Sequence, residues 1–285
     1  MIRVVMLGRL GNNLFQYAMG RVLAERHGVP LLMDGGRFNR RDWAIVRQLE
    51  RLDIRAKIRR GPSILTRAMH RLAGRHPWEF RRWPVVRERE GFSGFDPAVM
   101  KAPGDAVLMG YFQSPRYFEG MEAELRDELD LSRLPWSKPS LLKAAEMNDP
   151  SVVAVHVRRT DYVGSNVFDL CEPGYYRRAM TRLRERQEGL RFVMFSDDPD
   201  WCRRTFADDG VEVCSLREAE SDPLHDLYLM SCAGHHIIAN SSYSWWAAWL
   251  GKKPGQRVIV PSTWFGASMQ APIEDKILRD WEALE

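Results

Sequence analysis

A chain of 285 residues that is 45% hydrophobic and 28% charged, with 21 Gly and 16 Pro, belongs with globular proteins and excludes disorder, collagen and coiled coil. Its length suits one large domain or two of modest size, and two, each able to bury a core, is the expectation. Net charge is only +4, yet between residues 37 and 90 there are 15 Arg and Lys57 against six acids, a local excess of +10 that leaves the remainder near −6. That asymmetry fits an anionic membrane face, nucleic acid or an acidic substrate, and equally an arginine-rich solvated helix surface.

In chain order, IRVVML (2–7) is a short apolar strand, GRLGNN (8–13) a glycine turn, and the helical spacing of Leu14, Tyr17, Ala18, Val22 and Leu23 predicts a helix closed by Gly28. A second strand, VPLLMD (29–34), completes a βαβ unit of Rossmann type. From Gly35 to Gly104 the pattern degrades. Ile64, Leu65, Ala68 and Leu72 share one helical face and Arg67, Arg71 and Arg75 another, which predicts a basic amphipathic helix near Trp78, Phe80 and Trp83. A strand at 106–112 and a helix within 116–129 follow, and LSRLPWSKPS (131–140) reads as a linker. The second half predicts strands at 151–157, 190–196, 211–215, 235–239 and 257–261. Helices at about 173–187, 199–206, 223–232 and 242–250 alternate with them, as in a parallel sheet covered on both faces. No apolar run reaches the ~20 residues that span a bilayer, the opening residues do not read as a targeting segment, and the four cysteines form no CxxC pair. The expected compartment is the cytoplasm.

Ligands of such sheets sit at the carboxyl ends of strands, so three exits matter. HVRRTD (156–161) places His156 and Arg158 on one side of a strand, with Arg159 and Asp161 beyond it. Adjacent guanidiniums call for an oxyanion or a carboxylate, and Asp161 is an obvious partner for Arg159. FSDDPDW (195–201) offers Ser196, Asp197 and Asp198, the last placed to cap the next helix. IIANSSYSWW (237–246) offers Asn240, Ser241 and Ser242 where a helix begins, which suits either a phosphate or an ordinary serine cap. Asp226 heads a helix, where it could cap or read a guanine, and Trp245, Trp246 and Trp249 fit the core. The amino-terminal GxxGNN is neither a dinucleotide fingerprint nor a P-loop, no GxSxG elbow or HExxH occurs, and there is no DxD to bridge a metal to a diphosphate.

Taken in order, GRLGNNLFQYA (8–18), GYFQSPRYF (110–118), HVRRTDYV (156–163), CEPGYY (171–176), FSDDPDWC (195–202), DLYLMS (226–231) and IIANSSYSWWAAWLG (237–251) strongly resemble the α-1,2-fucosyltransferases of glycosyltransferase family 11. Outside about 37–100 the likeness covers nearly the whole chain, and HxRRxD extends it to α-1,6- and protein O-fucosyltransferases. The resemblance implies an α/β, GT-B-like fold of two Rossmann-like domains facing a central cleft. Residues 1–135 would be an acceptor-side domain with a basic insert at about 37–100, and 140–285 the GDP-fucose domain. It implies inverting, metal-independent transfer of L-fucose from GDP-L-fucose to the 2-hydroxyl of a terminal galactose on a glycan. A different linkage or acceptor, or GDP-sugar binding without turnover, is the alternative. Arg158 would be the main diphosphate ligand, with Arg159, His156, Asn240, Ser241, Ser242, Ser196 and Asp197 around the donor, Asp226 reading guanine, and Gly11 and Asn12 approaching from the amino-terminal domain. The relatives' lysine and glutamate after the motif are Tyr162 and Asn166 here, so no base carries over; Asp161, then His156, are the candidates. Expected partners are GDP-L-fucose and a galactose-containing acceptor, lipid-linked or not, with peripheral contact to anionic membrane and no nucleic acid, and no cofactor.

Overall fold

The computed structural model describes residues 1–36, 43–60, 83–214 and 222–285. The predicted basic helix at 64–75, with Trp78 and Phe80, lies outside the described residues. The described chain forms two compact units, Met1–Asp130 and Leu131–Glu285.

The first unit runs β1 (Ile2–Val5), α1 (Leu10–His27), β2 (Leu31–Asp34), α2 (Trp43–Leu49), β3 (Lys57–Arg59), β4 (Val85–Arg87), β5 (Val107–Met109) and α3 (Glu122–Glu128). Its strands lie in the order β3-β2-β1-β5-β4, all parallel. Helix α1 buries the predicted stripe of Leu14, Tyr17, Ala18, Val22 and Leu23. Gly28 ends it in the left-handed conformation, its N–H returning to Ala24 and Glu25 carbonyls. Gly20 lets the helix press on the sheet, because a Cβ there would come within 2.6 Å of Val4 Cγ2. Glu128, buried, accepts from the Tyr17 phenol and from Arg21 Nε at 3.0 Å, so its charge is compensated where it leaves water. Trp83 carries the Arg3 guanidinium 4.2 Å above its ring.

The second unit runs α4 (Lys138–Met147), β6 (Val152–Val157), α5 (Pro173–Arg184), β7 (Arg191–Ser196), α6 (Pro199–Thr205) and β8 (Val211–Val213), then α7 (Pro223–Cys232), β9 (His235–Ile237), α8 (Ser242–Leu250), β10 (Val258–Pro261) and β11 (Trp281–Leu284). Its sheet has the order β8-β7-β6-β9-β10-β11 and every pairing is parallel. Counted from β6, this is the doubly wound dinucleotide-fold order 3-2-1-4-5-6, whose direction of winding reverses between β6 and β9. All six residues of β6 are buried, as a central strand covered on both faces requires. Val153, Val155 and Val157 pack with Tyr176, Met180 and Leu183 of α5 and with Phe192 and Met194 of β7. Behind α8, Trp245 lies 5.2 Å from Trp246, 6.2 Å from Trp249 and 5.4 Å from Trp281 of β11, so the predicted core role of the three α8 indoles is correct.

Residues 131–140 are not the linker expected from their prolines. Leu131–Arg133 is a 3-10 turn, and Ser137 caps α4 by accepting from the Ser140 amide while Pro139 occupies the first turn, where a missing N–H costs nothing. Strands β3, β4 and β11 were not anticipated. Each has three or four residues and lies at or next to a sheet edge, where half-exposed positions blur the apolar run.

Candidate active site

The reversal between β6 and β9 brings two strand exits side by side. From β6 comes the turn 158–163, whose shape is set by a carboxylate on the neighbouring strand. Asp197, just past β7, accepts from the Arg159 amide at 2.9 Å, the Thr160 amide at 3.2 Å and the Thr160 hydroxyl, and pairs with Arg158 Nη1 at 3.2 Å. These donors outweigh its burial and hold the Asp197 carboxyl below its ordinary range. Asp197 therefore builds the turn. Ser196 Oγ accepts from the Asp198 amide, and Asp198 caps α6 by accepting from the Trp201 amide, as its position before Pro199 predicts.

Arg158 stands at the centre. Its Nε and Nη2 reach Asp161 Oδ1 at 2.8 and 2.6 Å, Nη1 faces Asp197, and the Tyr162 ring centroid lies 5.7 Å from Cζ. One hydrogen on each nitrogen is thus engaged among the described residues, and a guanidinium has two more to offer an anion. The expected pairing of Asp161 with Arg159 is corrected. Arg159 instead lies 3.7 Å over the Trp201 ring with Nε 3.5 Å from Asp198. The fold achieves this because Asp197 fixes the backbone between the two arginines and sends their side chains to different partners.

His156 is buried on β6, its ring 5.5 Å from that of Tyr243, and its Nδ1 has no hydrogen-bond partner among the described residues. Burial, helped by the Arg158 charge, drives its pKa down to about 3. It is neutral at physiological pH.

From β9 comes Asn240, almost wholly buried. Its Nδ2 donates to the Phe168 and Trp264 carbonyls at 3.1 Å each, and its Oδ1 accepts from Cys171 Sγ at 3.4 Å. Its amide ties the loops after β6 and β10 to the end of β9. Ser241 is the N-cap of α8 but makes no side-chain bond to that helix, so the ordinary-cap alternative fails for it. Beside it, the Tyr162 phenol donates to the Asn240 carbonyl at 3.4 Å. Ser242 opens the helix beside it. In α7 the cap is Asp222, which accepts from the Leu224 amide at 3.0 Å. Asp226 is therefore not needed as a cap. It lies in the first turn, its side chain 49% exposed and 3.5 Å from His225 Nδ1.

In the first unit, Gly8 adopts φ +72° before α1, and a Cβ there would fall 2.2 Å from Asn12 Nδ2. Asn12 Oδ1 accepts from Gln113 Nε2 at 2.7 Å, Gly11 is buried in the first turn, and Gln16 Nε2 donates to the Gly110 carbonyl, which joins the exits of β1 and β5. Tyr162 and Trp201 were not anticipated as supports of the arginines, since nothing in their spacing marks the contact. Among the described residues no group of three or more His, Cys, Asp or Glu is placed to hold a metal ion.

The sequence model described as "Glycosyl transferase family 11" matches residues 91–285, more than half of the chain. An α-1,2-colitosyltransferase of Escherichia coli is 29% identical over 277 residues, 90% of this chain and 90% of that protein. The galactoside α-(1,2)-fucosyltransferase 2 of Hylobates lar is 26% identical over 262 residues, covering 86% and 67%. The match to the O-antigen biosynthesis glycosyltransferase WbnK of Escherichia coli, 30% identical over 138 residues, spans 47% of this chain and less than half, 45%, of that protein. Among solved structures, the NodZ α-1,6-fucosyltransferase soaked with GDP-fucose aligns with a TM-score of 0.47 at 12% identity, covering 87% and 92%. With the family's region extending over both strand exits and all of the second sheet, the chain belongs to glycosyl transferase family 11 and is a glycosyltransferase.

Proposed function

We propose that this enzyme transfers L-fucose from GDP-L-fucose to the 2-hydroxyl of a terminal galactose on a glycan, with inversion and without a required metal ion. The observation that carries the proposal is the pairing, on adjacent strand exits, of the Arg158 fork with a serine cap whose hydroxyl is not used by its own helix. As GDP departs, negative charge grows on the β-phosphate while the sugar gains oxocarbenium character, so stabilising the leaving group is the main demand. Arg158, the Ser241 and Ser242 hydroxyls and the positive end of α8 are suited to meet it. Asp226 would accept from the guanine edge. Asp161, half-exposed beside Arg158, is the carboxylate proposed to take the acceptor's proton; such help is worth ~10² to 10⁴-fold.

The α-1,2-colitosyl relative, which covers nearly all of both chains, favours a second donor for the same chemistry, a GDP-linked colitose. The test measures GDP release in EDTA with both donors across a panel of β-galactosides. Turnover dependent on both donor and galactoside, with an α-1,2 product, is expected. GDP-sugar binding with no turnover on any acceptor would leave a binding protein and refute the proposal. Asp226→Ala should raise the donor KM and erode the preference for guanine over adenine; unchanged base preference refutes that role. A lipid-linked acceptor at the cytoplasmic face, with residues 37–90 resting on anionic lipid, belongs to the same proposal. None of the described helices is long and apolar enough to cross a membrane. Phosphatidylglycerol vesicles that fail to retain the protein at low salt would remove the lipid contact.

A further inference from the structure

The first sheet has a reversal of its own. In the order β3-β2-β1-β5-β4 the winding changes direction between β1 and β5, and parallel strands diverging at such a point leave a crevice at their carboxyl ends. The turn that leaves β5 there, residues 110–113, is fastened from two sides. Gln16 Nε2 donates to the Gly110 carbonyl at 2.9 Å and Gln113 Nε2 donates to Asn12 Oδ1 at 2.7 Å, so both ends of the turn are tied to the opening of α1. Glu88, just past β4, accepts from the Tyr111 amide at 2.8 Å and the Phe112 amide at 3.2 Å, one on each carboxylate oxygen. Held this way, Phe112 takes φ +52°, the one positive value at a non-glycine among the described residues, and its buried ring meets Tyr117 edge-on at 5.8 Å. A bulky residue keeps that conformation only where its surroundings enforce it. Tyr111, its neighbour, is left 41% exposed on a turn pinned along its whole length.

We infer that the first unit carries a saccharide site at this reversal, with Tyr111 as the platform on which the ring of a β-galactoside stacks. That the sugar is a galactoside rests on the function proposed above; the site itself rests on the turn. Residues 10–18 and 110–115 include no charged side chain, which favours a neutral ligand. Their polar groups are carboxamides, which both donate and accept, as a rim of sugar hydroxyls requires. Asn13 is wholly buried in the first turns of α1; its Nδ2 donates to the Leu7 carbonyl at 2.7 Å, and its Oδ1 has no partner among the described residues. In galactose the axial 4-hydroxyl leaves the hydrogens on C3, C4 and C5 as one apolar patch, and an aromatic ring covers such a patch. Because the backbone under Tyr111 is already fixed, little ordering is needed when the sugar arrives.

The experiment is saturation-transfer NMR with methyl β-D-galactopyranoside, alongside initial rates on lactose. Saturation of the protein should pass most strongly to H3, H4 and H5 of the galactoside, and more weakly to methyl β-D-glucopyranoside, whose H4 sits on the opposite face. Tyr111→Ala should melt within about 2 °C of wild type, because the ring is exposed. It should bind GDP as wild type does, lose most of the transfer to the galactoside, and raise the lactose KM ~5- to 20-fold. Tyr111→Phe keeps the ring face and should stay within about 2-fold of wild type in both readouts. Absent transfer in the wild type, transfer and lactose KM unchanged in Tyr111→Ala, or an equal loss in Tyr111→Phe overturns the inference. Transfer that depends on Tyr111 without turnover on any galactoside supports the site and overturns the proposed function. Turnover on lactose that is indifferent to Tyr111 overturns the site alone.

Discussion

Arg158→Lys keeps the positive charge and removes the fork, so it isolates what the geometry contributes. In the native turn the planar guanidinium spans Asp161 at 2.6 and 2.8 Å and Asp197 at 3.2 Å while keeping hydrogens for an anion. An ammonium concentrates three donors on one nitrogen and cannot reach both carboxylates and a phosphate at once. Losing one preorganised donor to a developing charge costs ~10² to 10³ in kcat, about 2.7 to 4 kcal/mol, and the retained charge puts lysine near the lower figure. Alanine should lose at least ~10³-fold but is the poorer probe. It leaves the Asp161 and Asp197 carboxylates without their counter-ion, which costs roughly 1–3 kcal/mol of stability as well. The assay is steady-state GDP release at saturating donor and acceptor, with thermal melting as the control for folding. A lysine variant that melts like wild type and keeps kcat within about threefold refutes the assignment of Arg158 as the leaving-group ligand.

Asp197→Ala strands two amides and the Thr160 hydroxyl, and should cost ~2–4 kcal/mol, a fall in Tm of about 5–15 °C; a fall under about 2 °C would show that the turn holds itself. Acid should destabilise the protein in two stages. His156 and His236, with pKa about 3 in the folded chain against 6.5 ordinarily, bind protons only on unfolding, so stability declines as pH falls below 6.5 by up to about 1.4 kcal/mol per unit for each. The lowered carboxyl of Asp197 has the same sign and acts lower, below its ordinary value of 3.8. Urea unfolding with equal free energies at pH 7 and pH 5 would contradict the first stage. Gly266→Ala places a Cβ 2.0 Å from the Asn166 carbonyl oxygen, a main-chain atom, and should destabilise by ~1–3 kcal/mol and weaken GDP binding through the displaced loop; wild-type melting and affinity would refute the tight approach.

The second sheet was legible because its central strands are buried on both faces, and β6 and β7 print as continuous runs of Val, Met and Phe that need no alternation to be seen. Helix α4 was missed for the opposite reason: Pro139 reads as a break unless Ser137 is recognised as a cap one step earlier. At the site, the residue types at each strand exit were visible and their partners were not. Which arginine meets Asp161 is decided by Asp197, more than thirty positions away on the next strand, and no local spacing encodes that contact. Asn240 shows the same gap, since nothing local to a strand end says that its amide meets the Phe168 and Trp264 carbonyls.

The indoles behind α8 give the molecule its own optical gauge. Trp245, Trp246, Trp249 and Trp281 lie within energy-transfer range of one another, and the helix they support begins at Ser242. An anion settling at that helix's start changes the field along an axis lined with fluorophores. Nucleotide occupancy should therefore be readable from native ultraviolet emission, with no dye attached.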